Sequence, residues 1–217
     1  NNICVMNTPG QNANAVAELV FGLAVYAIRN FFKGTSGTEL LGKKLGIHAY
    51  GNVGRNVARI AKGFGMEVYA FDPFLSKEAI EKEGVKAVGS AEELYTTCQY
   101  VSLHMPATEE TANSINYALI SKMPKNALLL NTARKEVVDE ASIVKVMEER
   151  KDFKYVTDVL PSNHAEMTEK FAGRYFSTPK KSGAQTEEAN INAGIAAANQ
   201  IVDFIKNGNE RFRVNGK

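Results

Sequence analysis

The chain contains no tryptophan and two cysteines, Cys4 and Cys98, in 217 residues. Two cysteines cannot build a disulfide framework or a four-cysteine zinc site, so a reducing compartment, the cytoplasm, is expected and no metal site is predicted. There is no excess of one charge. Twenty-six Lys and Arg against 24 Asp and Glu leave +2, which argues against a dedicated nucleic-acid binder. No apolar run approaches the roughly 18 residues of a membrane span, so no membrane partner is expected. The first residues lack the pattern of a signal peptide and open Asn1-Asn2-Ile3 without an initiator Met, as a start inside a longer polypeptide would. Repeats and low-complexity tracts are absent too. What is present, 44% apolar and 23% charged residues, is ordinary for a folded globular chain.

From Leu45 onward, apolar runs alternate with amphipathic stretches. The runs 45–49, 67–71, 100–103, 127–130 and 155–158 read as strands. The stretches 53–64, 90–97 and 139–150 read as helices. Strands separated by helices predict an α/β fold, a doubly wound parallel sheet of the Rossmann type. Two further helices, 13–32 and 187–206, carry apolar stripes outside this alternation. Gly208 fits a stop for the second. A homodimer built partly on the stripe of 13–32, which includes Val20 and Leu23, is expected, because so apolar a helix needs a packing partner. The organisation predicted is an interdomain or dimer helix and lead-in over 1–43, a dinucleotide-binding domain over 44–186, and a return helix with tail over 187–217.

Residues 45–54 run from a strand through a glycine-rich turn into a helix. The turn reads Ala49-Tyr50-Gly51-Asn52-Val53-Gly54, a G-x-G-x-x-G fingerprint with alanine at the first glycine. Gly51 would let the backbone approach a pyrophosphate, and Gly54 would let helix and strand pack closely. Alanine fits the first position if its φ stays negative. The helix beginning at Val53, just past Asn52, would aim its N–H groups at the phosphates. Asp72, 18 residues beyond Gly54 at the end of the next run, suits the adenosine ribose hydroxyls and would repel a 2′-phosphate. With no arginine among its neighbours, the expected cofactor is NAD rather than NADP. The plainer alternative is a turn carboxylate ahead of Pro73.

Beyond the turn come Leu103-His104-x-Pro106-x-Thr108-x-x-Thr111, Asn131-Thr132-Ala133-Arg134, Val138-Asp139-Glu140-Ala141 and Thr157-Asp158-Val159. With Asn7-Thr8-Pro9-Gly10 and Gly37-x-Glu39-Leu40-x-Gly42-Lys43 before it, this series resembles the D-isomer-specific 2-hydroxyacid dehydrogenases over nearly the whole chain. The resemblance implies that His104, Pro106 and Thr111 belong to the nicotinamide-side loop, with Thr132 and Ala133 beside the cofactor. It implies that Asp158 holds the nicotinamide amide and that Arg134 binds the substrate's carboxylate and C2 oxygen. A planar, permanently charged fork suits that task; the plain alternative is a surface arginine at a strand end.

Three departures from the family stand out. Its glycine after the arginine is Lys135. The glutamate expected five residues past the strand-end aspartate is Asn163. Its histidine is absent from Thr178-Pro179-Lys180-Lys181-Ser182-Gly183-Ala184-Gln185-Thr186, where Lys180 or Lys181 stands instead. The longer downstream match favours Lys181. A lysine starts near 10.4 and must be tuned down to exchange protons at neutral pH. A neutral Asn163 and nearby cations would serve that better than a glutamate. His164 is the reserve acid or base, and His48 reads as packed.

By resemblance the activity is NAD-dependent hydride transfer at C2 of an anionic small-molecule D-2-hydroxyacid. The substrate expected first is 3-phosphoglycerate, giving 3-phosphohydroxypyruvate for serine synthesis. Glyoxylate or hydroxypyruvate reduction comes next, and an NAD-sensing interaction module or a dead enzyme that still binds NAD is the rival from another class. The resemblance also places the substrate pocket between this domain and a smaller one whose main part would precede Asn1. The chain alone is therefore expected to hold cofactor without completing that pocket.

Overall fold

The computed structural model describes residues 3–215. Its centre is one sheet of seven strands, all parallel: β1 (Lys44–His48), β2 (Glu67–Phe71), β3 (Lys86–Ala87), β4 (Tyr100–Leu103), β5 (Leu128–Asn131), β6 (Lys154–Thr157) and β7 (Tyr175–Ser177). The spatial order is β3-β2-β1-β4-β5-β6-β7. Strand order therefore reverses between β1 and β4, and a crevice opens at their carboxyl ends, where folds of this kind bind ligands.

The five predicted strands are present with ends shifted by at most one residue, and the doubly wound architecture is as expected. β3 and β7 extend the two edges beyond the prediction. The central strands read as unbroken apolar runs because both faces are covered. On one face Leu45, Ile47, Leu128, Leu130 and Val156 pack with α1 (Ala13–Ile28) and α2 (Asn52–Gly63). On the other, Val101, Leu103, Leu129 and Tyr155 meet α4 (Ala91–Thr97), α6 (Glu140–Glu149) and α7 (His164–Lys170). Two short helices, α3 (Lys77–Glu81) and α5 (Tyr117–Ile120), fill the connections. Ser76 and Ser90 cap α3 and α4, each accepting a backbone N–H of the first turn.

Two expectations about α1 are corrected. The helix stops at Ile28 rather than Phe32. Asn30, Phe31 and Phe32 all take positive φ (51°, 57° and 55°), forming a left-handed turn. Lys154 Nζ secures it by donating to Ala27 O at 2.7 Å and Asn30 Oδ1 at 2.8 Å. Nor does the apolar stripe await a partner: Val20 and Leu23 are 1% and 4% exposed and pack within their own chain. The stripe therefore gives no reason for a dimer.

The last helix, α8 (Glu187–Asn207), runs from the Thr186 cap to Gly208 at φ 66°, the left-handed stop expected there. Unlike α1 it leaves Ile191, Ile195, Ile201 and Ile205 exposed. Beside it, Val5 and Met6 pair antiparallel with Arg213 and Val214. Among the described residues, no helix is long and apolar enough to cross a membrane.

Because Leu23 is buried within one chain, Leu23→Ala should lower unfolding stability by about 2–5 kcal/mol through lost burial and a cavity. Urea unfolding measures this. Analytical ultracentrifugation should show the same association state as the parent chain.

Candidate active site

β1 ends at His48, and the chain turns at Ala49 with φ 76°. The expectation of a negative φ is thus overturned. The alanine occupies the left-handed conformation that a glycine takes freely, at a penalty of about 1–2 kcal/mol. The turn closes against β2: Ala49 N–H donates to Phe71 O at 2.9 Å and Tyr50 N–H to Asp72 Oδ2 at 2.8 Å. α2 then starts hard against the turn. A Cβ on Gly54 would lie 2.5 Å from Ala49 O and 3.1 Å from Ile47 Cγ2, whereas one on Gly51 would meet nothing within 4 Å. Gly54 therefore serves close packing. Gly51 faces open space at the N-terminus of α2, as a turn that admits a pyrophosphate requires. Asn52 is the first residue of that helix, followed by the half-buried Val53.

Asp72 has both expected characters. Oδ1 accepts Phe74 N–H at 2.9 Å, the turn bond ahead of Pro73, while Oδ2 ties down the glycine-rich turn. At the ends of β4 and β5 lie two buried polar atoms without a hydrogen-bond partner, His104 Nε2 and Thr132 Oγ1. Buried polar groups are normally paired. Two orphans at the crevice, with the open Gly51 and the carboxylate at the end of β2, fit a bound dinucleotide. Pro106 and Thr111 form a self-tied loop beside them: Thr111 Oγ1 donates to Pro106 O at 2.6 Å and accepts Thr108 N–H at 2.8 Å.

Past β5, the fully buried Asn131 builds the turn that carries Arg134. Its Oδ1 accepts Ala133 N–H at 3.0 Å and its Nδ2 donates to Arg134 O at 2.9 Å. The sequence motif contains Asn131, but only the structure assigns it this task. Arg134 Nη1 and Lys181 Nζ both donate to Ala133 O, at 2.8 and 2.9 Å. Two cations thus converge on one carbonyl at the carboxyl edge of the sheet. Burial, then the Arg134 charge, holds Lys181 below the ordinary lysine value, with Asp158 and Glu136 pulling the other way. Lys180 and Lys181 are both exposed residues; they differ in that the Lys181 ammonium is bonded inward and only partly desolvated, whereas only the carbonyl of Lys180 is engaged, by Ser182 Oγ.

Asp158 is fully buried. Its Oδ1 accepts Thr178 Oγ1–H and Ser182 N–H, and its Oδ2 accepts Gly183 N–H, each at 2.8 Å. It therefore organises the loop that bears Lys181; fully buried and with both oxygens engaged within the chain, it is not presented to a nicotinamide amide as expected. Asn163 is not brought to either lysine by a hydrogen bond. It precedes the first residue of α7 without a side-chain capping bond and lines a small cavity with Lys135, Tyr155 and Met167. His164 is engaged elsewhere, with Nδ1 2.9 Å from Tyr175 Oη.

These features define a dinucleotide-binding α/β domain with a cationic pair beside the cofactor crevice. Residues 25–179 match the family model described as D-isomer specific 2-hydroxyacid dehydrogenase, NAD binding domain. A D-3-phosphoglycerate dehydrogenase of Methanocaldococcus jannaschii is 34% identical, aligned over 94% of this chain and 41% of its own length. A hydroxypyruvate reductase of Thermotoga maritima is 32% identical over 92% of this chain and 69% of its own. The NAD+-bound 3-phosphoglycerate dehydrogenase structure from Entamoeba histolytica superposes with a TM-score of 0.90 at 48% identity, covering 99% of this chain and 68% of that one. The chain belongs to the D-isomer-specific 2-hydroxyacid dehydrogenases. It carries their NAD-binding domain and spans 41% and 56% of the lengths of two curated relatives.

The two histidines under the crevice make stability pH-dependent. Burial pushes His48 down to about 4, against the pull of Asp72; burial and His48 push His104 down to about 3, both from 6.5. Both fold neutral, so their contribution is complete above 6.5 and is lost as pH falls through 6.5 toward 4 and 3, by about 1.4 kcal/mol per pH unit for each group. The thermal midpoint should fall over that window. His48→Gln, which keeps a partner for Tyr95, should flatten the drop.

Proposed function

We propose that this chain is the cofactor-binding and catalytic part of an NAD-dependent D-2-hydroxyacid dehydrogenase whose substrate is 3-phosphoglycerate, oxidised to 3-phosphohydroxypyruvate. The observation that carries the reading is the convergence of Arg134 and Lys181 on Ala133 O at the carboxyl edge of β5. When bound, NAD supplies the hydride acceptor at C2. Gly51, Asn52, Val53 and Gly54 hold its pyrophosphate, and Asp72 its adenosine ribose. His104, Pro106, Thr111, Thr132 and Ala133 line the nicotinamide side. Arg134 binds the carboxylate and C2 oxygen of the substrate. Lys181, as a neutral amine, takes the C2 hydroxyl proton and returns it in the reverse direction. Arg134 favours the neutral lysine by charge repulsion, and the partial desolvation of its ammonium, on a residue otherwise exposed, works the same way. The exposed Lys135 and Lys180 add positive charge suited to a second anionic group on the substrate.

The exposed stripe of α8 and the adjoining groove of about 320 Å³ lined by Val5, Met6, Ile201 and Phe204 support a smaller domain closing over the crevice. On this reading the residues ahead of α1 and 187–217 are the crossing segments; α1, expected to cross with them in 1–43, packs on the sheet and belongs with 44–186 in the cofactor domain. Hydroxypyruvate reduction is the second reading. It is supported by the hydroxypyruvate reductase relative and uses the same Arg134 and Lys181 with the proton moving the other way.

In the full-length protein, Lys181→Met should reduce turnover by about 10²–10⁴ while NADH still binds. Lys180→Met should act mainly on substrate KM. The wild-type rate of hydroxyacid oxidation should rise with pH below the ordinary lysine value of 10.5, since Lys181 is lowered from it, and Lys181→Met should lose that limb. Unslowed turnover in Lys181→Met overturns the assignment. By calorimetry, the chain should bind NADH much more tightly than NADPH, and Asp72→Ala should narrow the ratio.

A further inference from the structure

The strained turn is held from outside the cofactor crevice. A non-glycine residue in the left-handed region persists only where its surroundings over-determine it. Ala49 is followed by Tyr50, whose side chain is almost fully buried at 1% exposure. The Tyr50 hydroxyl donates to Glu83 Oε2 at 3.1 Å. Arg55, the residue after Gly54, donates through Nε to Glu83 Oε1 at 2.8 Å, and its guanidinium lies 5.3 Å from the Tyr50 ring centroid. Glu83 sits in the turn after α3, where its own carbonyl accepts from Lys62 Nζ. One carboxylate thus grips, with separate oxygens, the two residues that bracket Gly51–Gly54.

We infer that Glu83 is a positioning residue for the NAD site, acting through Tyr50 and Arg55 to keep Ala49 in its left-handed state and the Gly51–Gly54 turn in its binding conformation. The inference rests on that turn receiving the NAD pyrophosphate. The protonation states suit the arrangement. The Arg55 bond holds Glu83 below the usual carboxylate range, so it stays an acceptor. Burial, then the Glu83 charge, pushes Tyr50 up to about 12, so it stays a donor. An ion pair this exposed contributes little to global stability. Its effect is on which conformation the turn populates, and apparent affinity falls in proportion to the competent fraction.

The test is NADH titration of this chain by calorimetry for the wild type, Tyr50→Phe and Glu83→Ala, each with and without Ala49→Gly. Glu83 is exposed, so its truncation leaves the core intact. With Ala49 present, both variants should weaken NADH binding by about three- to tenfold. With Ala49→Gly, which removes the strain, the same changes should cost less than about twofold. A purely structural role would lower the unfolding midpoint without this dependence on residue 49. A loss that is missing in either variant, or undiminished by Ala49→Gly, overturns the inference. The wild-type titration reports on the NAD site itself, and only the ratios between variants report on Glu83.

Discussion

The approach of α2 to the end of β1 is the constraint on which the crevice depends. The space between Gly54 and Ala49 O has no room for a methyl group, since a Cβ there would lie 2.5 Å from the oxygen. That closeness sets the helix N-terminus directly over the turn, with its unpaired N–H groups at the topological switch point of the sheet. The chain reverses within one residue at the same place, with Ala49 at φ 76°. The strain at Ala49 and the bareness of Gly54 are two sides of one packing solution. The Tyr50 N–H bond to Asp72 ties the turn to β2, a hold separate from that of Glu83 on the Tyr50 hydroxyl and Arg55.

The catalytic edge is built by a different means, buried polar side chains completing turns that the backbone cannot close by itself. Asn131 spans the turn before Arg134, and Asp158 accepts three bonds from the loop 178–183. A carboxylate out of contact with water is tolerable when donors surround it, and here those donors fix the loop that carries Lys181. Gly183 is part of the arrangement: a Cβ there would sit 3.1 Å from Asp158 Oδ2 and 3.4 Å from Val16 Cγ2. The lysine and the arginine are brought to the same carbonyl by residues at the ends of two neighbouring strands, β5 and β6.

Much of this was legible in the sequence, and the exceptions have physical causes. Strands of four or five residues buried on both faces announce themselves as apolar runs. β3 and β7, with two and three residues, are too short for any pattern to accumulate. α3, α5 and α7 span only five, four and seven residues. The stripe on α1 was visible as a face, but periodicity does not say what covers a face, and here the chain's own sheet and α2 do. The sign of φ at Ala49 is a tertiary property that no local rule contains. Lys180 and Lys181 differ by one position in an inserted loop, and what distinguishes them is the bond of Lys181 Nζ to Ala133 O. Asn163 was singled out by its place in a family pattern, but the structure sets it just ahead of α7, beside a small cavity and bonded to neither lysine.

The ribbon that joins the two ends of the chain has a mechanical consequence. Val5 N–H donates to Asn215 Oδ1 across 210 positions of sequence, and Asn7 N–H to Phe212 O. Such contacts close a loop of more than 200 residues, a long-range closure that local structure cannot nucleate. A body attached through both strands of such a ribbon is tethered at two neighbouring points. Its free rotation is then about the line through those points, a door on a pair of pins rather than a ball in a socket.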